Sequence, residues 1–281
     1  MVSALSPDRW RGRFDAVSIP RSGPLPSQDK DGMPLNNWKI GCVGFPLARG
    51  EYFRKFDAVE VQETFYDPPA ARVLARWRRE APENFSFAMR AWQLITHPPS
   101  FRGYARIQGR RSRSLEGLFG HFLPGKDVDW AWSVTREAAE ALQAEAIVFR
   151  SPASFSSTLE NLKNLEDFFN RIDRGKFRLV WDPEGLWSEE EVERLCERLD
   201  LTPAVDPLVS LPPRGQFFFC RLMRPKQRRS GRYTEDDFAR IVDRLTKEAS
   251  LEDARGMLIF DTPNCPGDAH RFRKWLGERF A

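Results

Sequence analysis

The chain has 281 residues, of which 41% are hydrophobic and 12% aromatic, and a formal charge of +4 at pH 7; this suits one large core such as a β/α barrel of roughly 250 residues. Its apolar runs, such as residues 217–220, fall far short of the roughly 20 residues of a membrane span, and the N-terminus lacks the order of a secretory signal, so a cytoplasmic address without a membrane partner is expected. The cysteines (Cys42, Cys196, Cys220, Cys265) and the histidines (His97, His121, His270) show no metal-ligand spacing, which argues against a cysteine-based zinc site or a multi-histidine cluster; no metal and no cofactor are expected.

Residues 1–38 carry Pro7, Pro20, Pro24, Pro26 and Pro34 with little periodicity, and read as an irregular leader. From Lys39 onward short apolar runs recur at residues 39–43, 58–62, 85–90, 146–150, 177–181, 203–205, 216–220 and 256–260. Length and flanking turn residues make them strands, the sixth carrying the weakest signal. Helical stripes fall between most of them. In chain order they are Val73, Leu74 and Trp77; Val134, Ala138, Ala141 and Leu142; Leu159, Leu162, Leu165, Phe169 and Ile172; Val192, Leu195, Cys196 and Leu199; Phe238, Ile241, Val242 and Leu245; and Phe272, Trp275, Leu276 and Phe280. Ser188 and Glu191 form a capping-box pattern, with Trp187 and Val192 as its hydrophobic staple, and Thr234 opens the fifth stripe.

Eight strands alternating with helices predict an α/β fold, a closed parallel (β/α)8 barrel of TIM type over residues 39–281, with an open doubly wound sheet as the alternative. Residues 98–130 are too long for a simple connection and are expected to form an excursion at the strand ends, where loops carry function.

Six segments, in order and spacing, resemble the YecE-like proteins, the family called domain of unknown function 72. They are FDAVEVQETFYDPP (56–69), FSFAMRAWQLITHP (85–98), IVFRSPASF (147–155), LVWDPEGLW (179–187), FFCRLM (218–223) and RYTEDD (232–237). The resemblance spans most of residues 39–276 and implies a β/α barrel with no assigned reaction; a distant likeness to endonuclease-type barrels has suggested nucleic acid as a partner. Against that family's pattern, Arg150 stands where glutamine is usual, and Met223 with Arg224 replaces a His-Gly pair. Asp261 with Thr262 replaces two asparagines, and Asp182 with Glu184 replaces a Glu and an Arg.

Period-two alternation separates lumen-facing from helix-facing side chains in a barrel. Val59 and Val61 on strand two, and Phe85, Phe87 and Met89 on strand three, are expected outside. Glu60, Gln62, Arg90, Arg150, Asp182, Arg221 and Asp261 are expected inside, near the strand ends where barrel enzymes work. Two accounts of these charges stay open. They either neutralise one another as a structural plug, or Arg90, Arg150 and Arg221 hold an anion while Glu60, Asp182 or Asp261 orients a group or moves a proton.

Thr64, Tyr66, Thr96, His97 and Tyr233 are placed around the same rim as ligand contacts, with His97 a candidate acid or base and Glu63 turned to the helix side. Arg224, Lys226, Arg228, Arg229 and Arg232 form an acid-free basic run suited to phosphates. Phe101, Arg102, Tyr104 and Arg106 interleave rings with guanidinium groups, a pattern compatible with base stacking or with ordinary packing. Phosphate loops, dinucleotide fingerprints and the nucleophile elbow of serine hydrolases are missing from the sequence. The expected partner is an anionic small molecule or nucleic acid; a phosphodiester hydrolase and a non-catalytic interaction protein remain the alternatives.

Overall fold

In the computed structural model the described residues are 35, 37–107, 117–210, 215, 217–223, 232–248 and 255–280, all within a unit spanning residues 33–281. Eight parallel strands, β1 (Trp38–Val43), β2 (Ala58–Val61), β3 (Ser86–Arg90), β4 (Ala146–Ser151), β5 (Arg178–Pro183), β6 (Thr202–Val205), β7 (Phe217–Met223) and β8 (Arg255–Asp261), close into a barrel in sequential order. Closure is carried by the β1–β8 pairing, from Trp38 opposite Gly256 to Cys42 opposite Phe260. The open-sheet alternative is thereby excluded. The leader expected over 1–38 lies outside the described residues, apart from Leu35, Asn37 and Trp38, the last of which already opens β1.

Helices α1 (Arg49–Lys55), α2 (Glu63–Tyr66), α3 (Ala71–Glu80), α4 (Gln93–Thr96), α5 (Lys126–Leu142), α6 (Leu159–Arg171), α7 (Glu189–Arg198), α8 (Glu235–Glu248) and α9 (Cys265–Phe280) connect or follow the strands. The six longer ones coincide with the apolar stripes. Two of them start on a capping exchange: at α7, Ser188 Oγ accepts from the Glu191 N–H at 3.2 Å while the Glu191 carboxylate accepts from the Ser188 N–H at 2.9 Å. Thr234 and Asp237 repeat that exchange at α8, at 3.3 and 2.8 Å. α1, α2 and α4 are too short for a stripe to announce them.

The barrel has two apolar layers, set by strand alternation. Ala58, Ala88, Ala146, Val148, Val180, Phe219, Met257 and Ile259 fill the lumen. Ile40, Cys42, Val59, Val61, Phe87, Met89, Phe149, Trp181, Cys220, Leu222 and Phe260 pack into the core beneath the helices. Where β1 meets β2 the strands approach so closely that a Cβ on Gly41 would lie 1.8 Å from the Ala58 carbonyl oxygen. The buried Tyr52 hydroxyl of α1 bridges them there, accepting from the Cys42 N–H at 2.7 Å and donating to the Ala58 carbonyl at 2.8 Å. Tyr52→Phe leaves both backbone groups without that partner in a fully buried site, so urea unfolding is expected to show a loss of about 1–3 kcal/mol.

The described residues between α4 and α5 include two stretches that pack on α4 or follow it directly. A short 3-10 turn, Arg102–Arg106, comes first; then the N–H groups of Gly120, His121 and Phe122 donate to the carbonyls of Leu94, Thr96 and Ile95 at 2.8, 3.1 and 2.9 Å. Gly120 has φ +86°, and a Cβ there would meet the His97 carbonyl oxygen at 2.2 Å, so only glycine permits this approach. Residues 108–116 of the expected excursion lie outside the described part. Among the described residues no helix is long and apolar enough to cross a membrane.

Candidate functional site

On six strands the last apolar lumen residue is followed, two positions on, by a charge. Ala58 precedes Glu60, Ala88 precedes Arg90, Val148 precedes Arg150, Val180 precedes Asp182, Phe219 precedes Arg221 and Ile259 precedes Asp261. Six strands thus deliver six charged side chains to the C-terminal mouth, and the expected convergence is present.

The deepest members are Glu60, fully buried, and Arg221 and Arg90, with 3% and 7% of their side chains exposed. Glu60 Oε1 accepts from Arg90 Nε at 2.5 Å and Glu60 Oε2 from Arg221 Nη2 at 2.7 Å, so both carboxylate oxygens are engaged. Arg221 Nε faces Asp182 Oδ2 at 2.9 Å, but neither atom is in hydrogen-bond geometry; the contact is one of charge alone. Nearer solvent, Asp261 Oδ2 lies 3.1 Å from Arg221 Nη1, 3.4 Å from Arg150 Nη1 and 3.6 Å from Arg90 Nη2. Arg150 also approaches Asp182 Oδ2 at 3.6 Å and donates to Glu184. Four carboxylates therefore surround three guanidinium groups.

Burial pushes the Glu60 carboxyl up, but the charges and hydrogen bonds of Arg221 and Arg90 outweigh it and hold the group down at about 2. Burial likewise works against charged Arg221 and Arg150. For Arg221 the carboxylates Glu60, Asp182 and Asp261 outweigh it, and for Arg150 Asp182 and Glu184 do, so both pKa values rise. All three charges stand at neutral pH.

The rim is built by α2, α4 and the turn that follows. Gln62 is half-buried and is the N-cap residue of α2. Thr64 does not face a ligand space: it is buried, and its hydroxyl donates to the Arg90 carbonyl at 2.8 Å, fixing the end of β3. Tyr66 carries the Arg106 guanidinium over its ring at 4.0 Å, and its carbonyl accepts from Gln93 Nε2 at 2.7 Å. Thr96 is buried with its hydroxyl 2.8 Å from His97 Nδ1.

The His97 ring packs against Phe65 and Phe101 at 4.9 and 4.4 Å. Burial, then the charges of Arg150, His121 and Arg90, depress its pKa to about 3. Burial and these charges favour the neutral imidazole at His97, beside the arginine cluster. Of the two readings of residues 101–106, internal packing is the one seen: Phe101 packs on His97 and the Tyr104 hydroxyl donates to the His97 carbonyl at 2.9 Å.

Tyr233 is a correction to the expected rim. It is buried against Phe260 and Phe238, on the helix side of the wall, and its hydroxyl donates to the Met223 carbonyl. Glu63 begins α2, past the end of β2, and is exposed. Of the basic run, Arg224, Lys226, Arg228 and Arg229 lie outside the described residues, and Arg232 is exposed.

Sequence reasoning did not place Glu184 at the site, because strand five was ended at Trp181. β5 runs on through Pro183, and the i, i+2 relation of Asp182 and Glu184 was the available signal. Gln93 was also missed: this buried amide donates to the carbonyls of Tyr66 and Gly103 at 2.7 and 3.0 Å, clamping the rim together. Among the described residues no group of three or more His, Cys, Asp or Glu side chains is arranged to hold a metal ion.

A closed ring of eight parallel strands with helices outside and charges gathered at one mouth defines a TIM barrel. Residues 48–281 match the family model described as "Protein of unknown function DUF72", and the chain belongs to that family. A DUF72 family protein of Enterococcus faecalis V583 superposes with a TM-score of 0.63 at 15% identity, covering 86% of this chain and 96% of that one. A DUF72 family protein of Thermotoga maritima MSB8 gives 0.54 at 16% identity, with 85% and 99% covered. The family 2 AP endonuclease of Brucella melitensis gives 0.51 at 12% identity, with 87% and 99% covered. At these identities the likeness is one of fold. No curated protein matches the chain.

Proposed function

We propose that the C-terminal mouth binds an anionic ligand bearing a phosphate group, with Arg150 as the solvent-facing contact and Arg90 and Arg221 behind it. One observation carries this reading: guanidinium groups from β3, β4 and β7 converge within 3.1–3.6 Å of a single carboxylate oxygen at the solvent end of the lumen. Arginine forks suit oxyanions, and barrel proteins act at this end. Glu60, with both oxygens engaged, serves to aim Arg90 and Arg221.

Hydrolysis receives less support, since both carboxylate oxygens of Glu60 are engaged by Arg90 and Arg221 rather than open to a substrate or water. The second reading, an ion-paired plug, draws on the surplus of carboxylates over arginines at the mouth. The polynucleotide form of the proposal rests on the basic run 224–232 and requires retention on nucleic acid that weakens steeply with salt.

Thermal unfolding in increasing inorganic phosphate separates the readings. The anion account predicts a rising Tm, equivalent to about 2.7 kcal/mol when phosphate reaches a hundredfold its Kd, and a smaller rise in Arg150→Gln. A Tm that ignores phosphate, with Arg150→Gln behaving as wild type, supports the plug.

A further inference from the structure

We infer that the Asp261 carboxylate is an internal stand-in for the ligand's phosphate: it occupies the oxyanion position of the arginine cluster and is displaced when a phosphate monoester binds. The inference rests on the anion reading above and adds how the free site is kept closed.

The charges at the mouth fall into two sets by depth and by quality of contact. Glu60 is locked to Arg90 and Arg221 at 2.5 and 2.7 Å with no exposure, close to the best distances for charge-assisted hydrogen bonds. Asp261 is different: its side chain is 31% exposed, and its three arginine contacts, all through Oδ2, are longer, at 3.1, 3.4 and 3.6 Å. Only the contacts to Arg221 and Arg150 have hydrogen-bond geometry. It is thus the loosely held anion in a cradle whose walls are tightly held.

One carboxylate oxygen serving three guanidinium groups is a poor match in number. A tetrahedral phosphate monoester offers three terminal oxygens, one for each of Arg90, Arg150 and Arg221, and carries more charge than the carboxylate it replaces. Asp261 closes β8, and the next residue is fixed independently, Thr262 Oγ1 donating to Asp268 Oδ2 at 2.8 Å. A rotation of the Asp261 side chain toward solvent therefore empties the cradle without disturbing the strand or the start of α9. Glu60 and Asp182 stay in place to hold the arginines apart and aimed.

The test is calorimetric titration of inorganic phosphate into the wild-type protein, Asp261→Ala and Asp261→Asn, each checked for a cooperative unfolding transition; the asparagine variant keeps the side-chain shape should alanine fail to fold. Tenfold or tighter phosphate binding in the Asp261 variants, reversed when Arg150→Gln is added, is the expected result. Tightening that is absent in the variants while the wild type binds phosphate overturns the stand-in role and leaves the anion reading standing. Phosphate binding to none of the proteins removes both. Binding by the Asp261 variants and not by the wild type shows that phosphate does not displace the carboxylate, and overturns the stand-in.

Discussion

Glu60→Gln is expected to destabilise the barrel by about 3–5 kcal/mol, the usual cost of removing one partner from a buried ion pair. The substitution keeps the volume of the side chain, removes its charge and turns one accepting oxygen into an NH2 donor facing an arginine N–H. Arg90 and Arg221, 7% and 3% exposed, then lose the carboxylate that accepts from both at 2.5 and 2.7 Å. Asp182 and Asp261 face Arg221, but one contact lacks hydrogen-bond geometry and the other is 3.1 Å long, so compensation is partial. Urea unfolding should show a lowered midpoint with an unchanged slope. Glu184→Gln provides the contrast: its carboxylate is 39% exposed, and the loss there is expected to stay below about 1 kcal/mol. Equal effects of the two substitutions would contradict the depth ordering of the cluster.

Stability is expected to fall in two stages as the solution is acidified. His97 has an ordinary value of 6.5 that the fold depresses to about 3. Between those values the unfolded chain takes up a proton that the folded one refuses, so stability is full above about 6.5 and declines as pH falls toward 3. His121, also depressed by burial, adds to this limb. Glu60 is held at about 2 against an ordinary 4.5. Its contribution is present above about 4.5 and lost as pH falls toward 2, on the order of 3 kcal/mol for a group this deeply buried. Denaturation midpoints measured from pH 7 to pH 3 should therefore decline throughout. His97→Asn should flatten, without abolishing, the decline that begins near 6.5; an unaltered slope in that variant would show that His97 is not held neutral by the fold.

Much of this site could be read before any coordinates. The strands declare themselves as apolar runs bounded by turn residues, and the period of two then assigns each side chain to lumen or helix layer. That is why Glu60, Arg90, Arg150, Asp182, Arg221 and Asp261 were placed together although 201 positions separate the first from the last. The same rule lost its power where strands ended. β5 continues past Trp181 to Pro183, and Glu184 was missed because the apolar run that marks this strand stops at Trp181.

Tyr233 lies just before α8 and in no strand, so alternation had nothing to say about it, and tertiary packing against Phe260 decided its direction. α1, α2 and α4 have seven, four and four residues, too few for a helical stripe. The rim depends on backbone contacts such as that of the Gly120 N–H with the Leu94 carbonyl, which no side-chain pattern encodes.

A crystal structure of the protein soaked with tungstate, a heavy tetrahedral oxyanion with the shape of phosphate, is the most direct measurement. Anomalous density between the Arg90, Arg150 and Arg221 guanidinium groups, with the Asp261 side chain turned to solvent, is the predicted result. Asp261 still seated on all three arginines, with no tungstate at the mouth under conditions that saturate other surface sites, would contradict it.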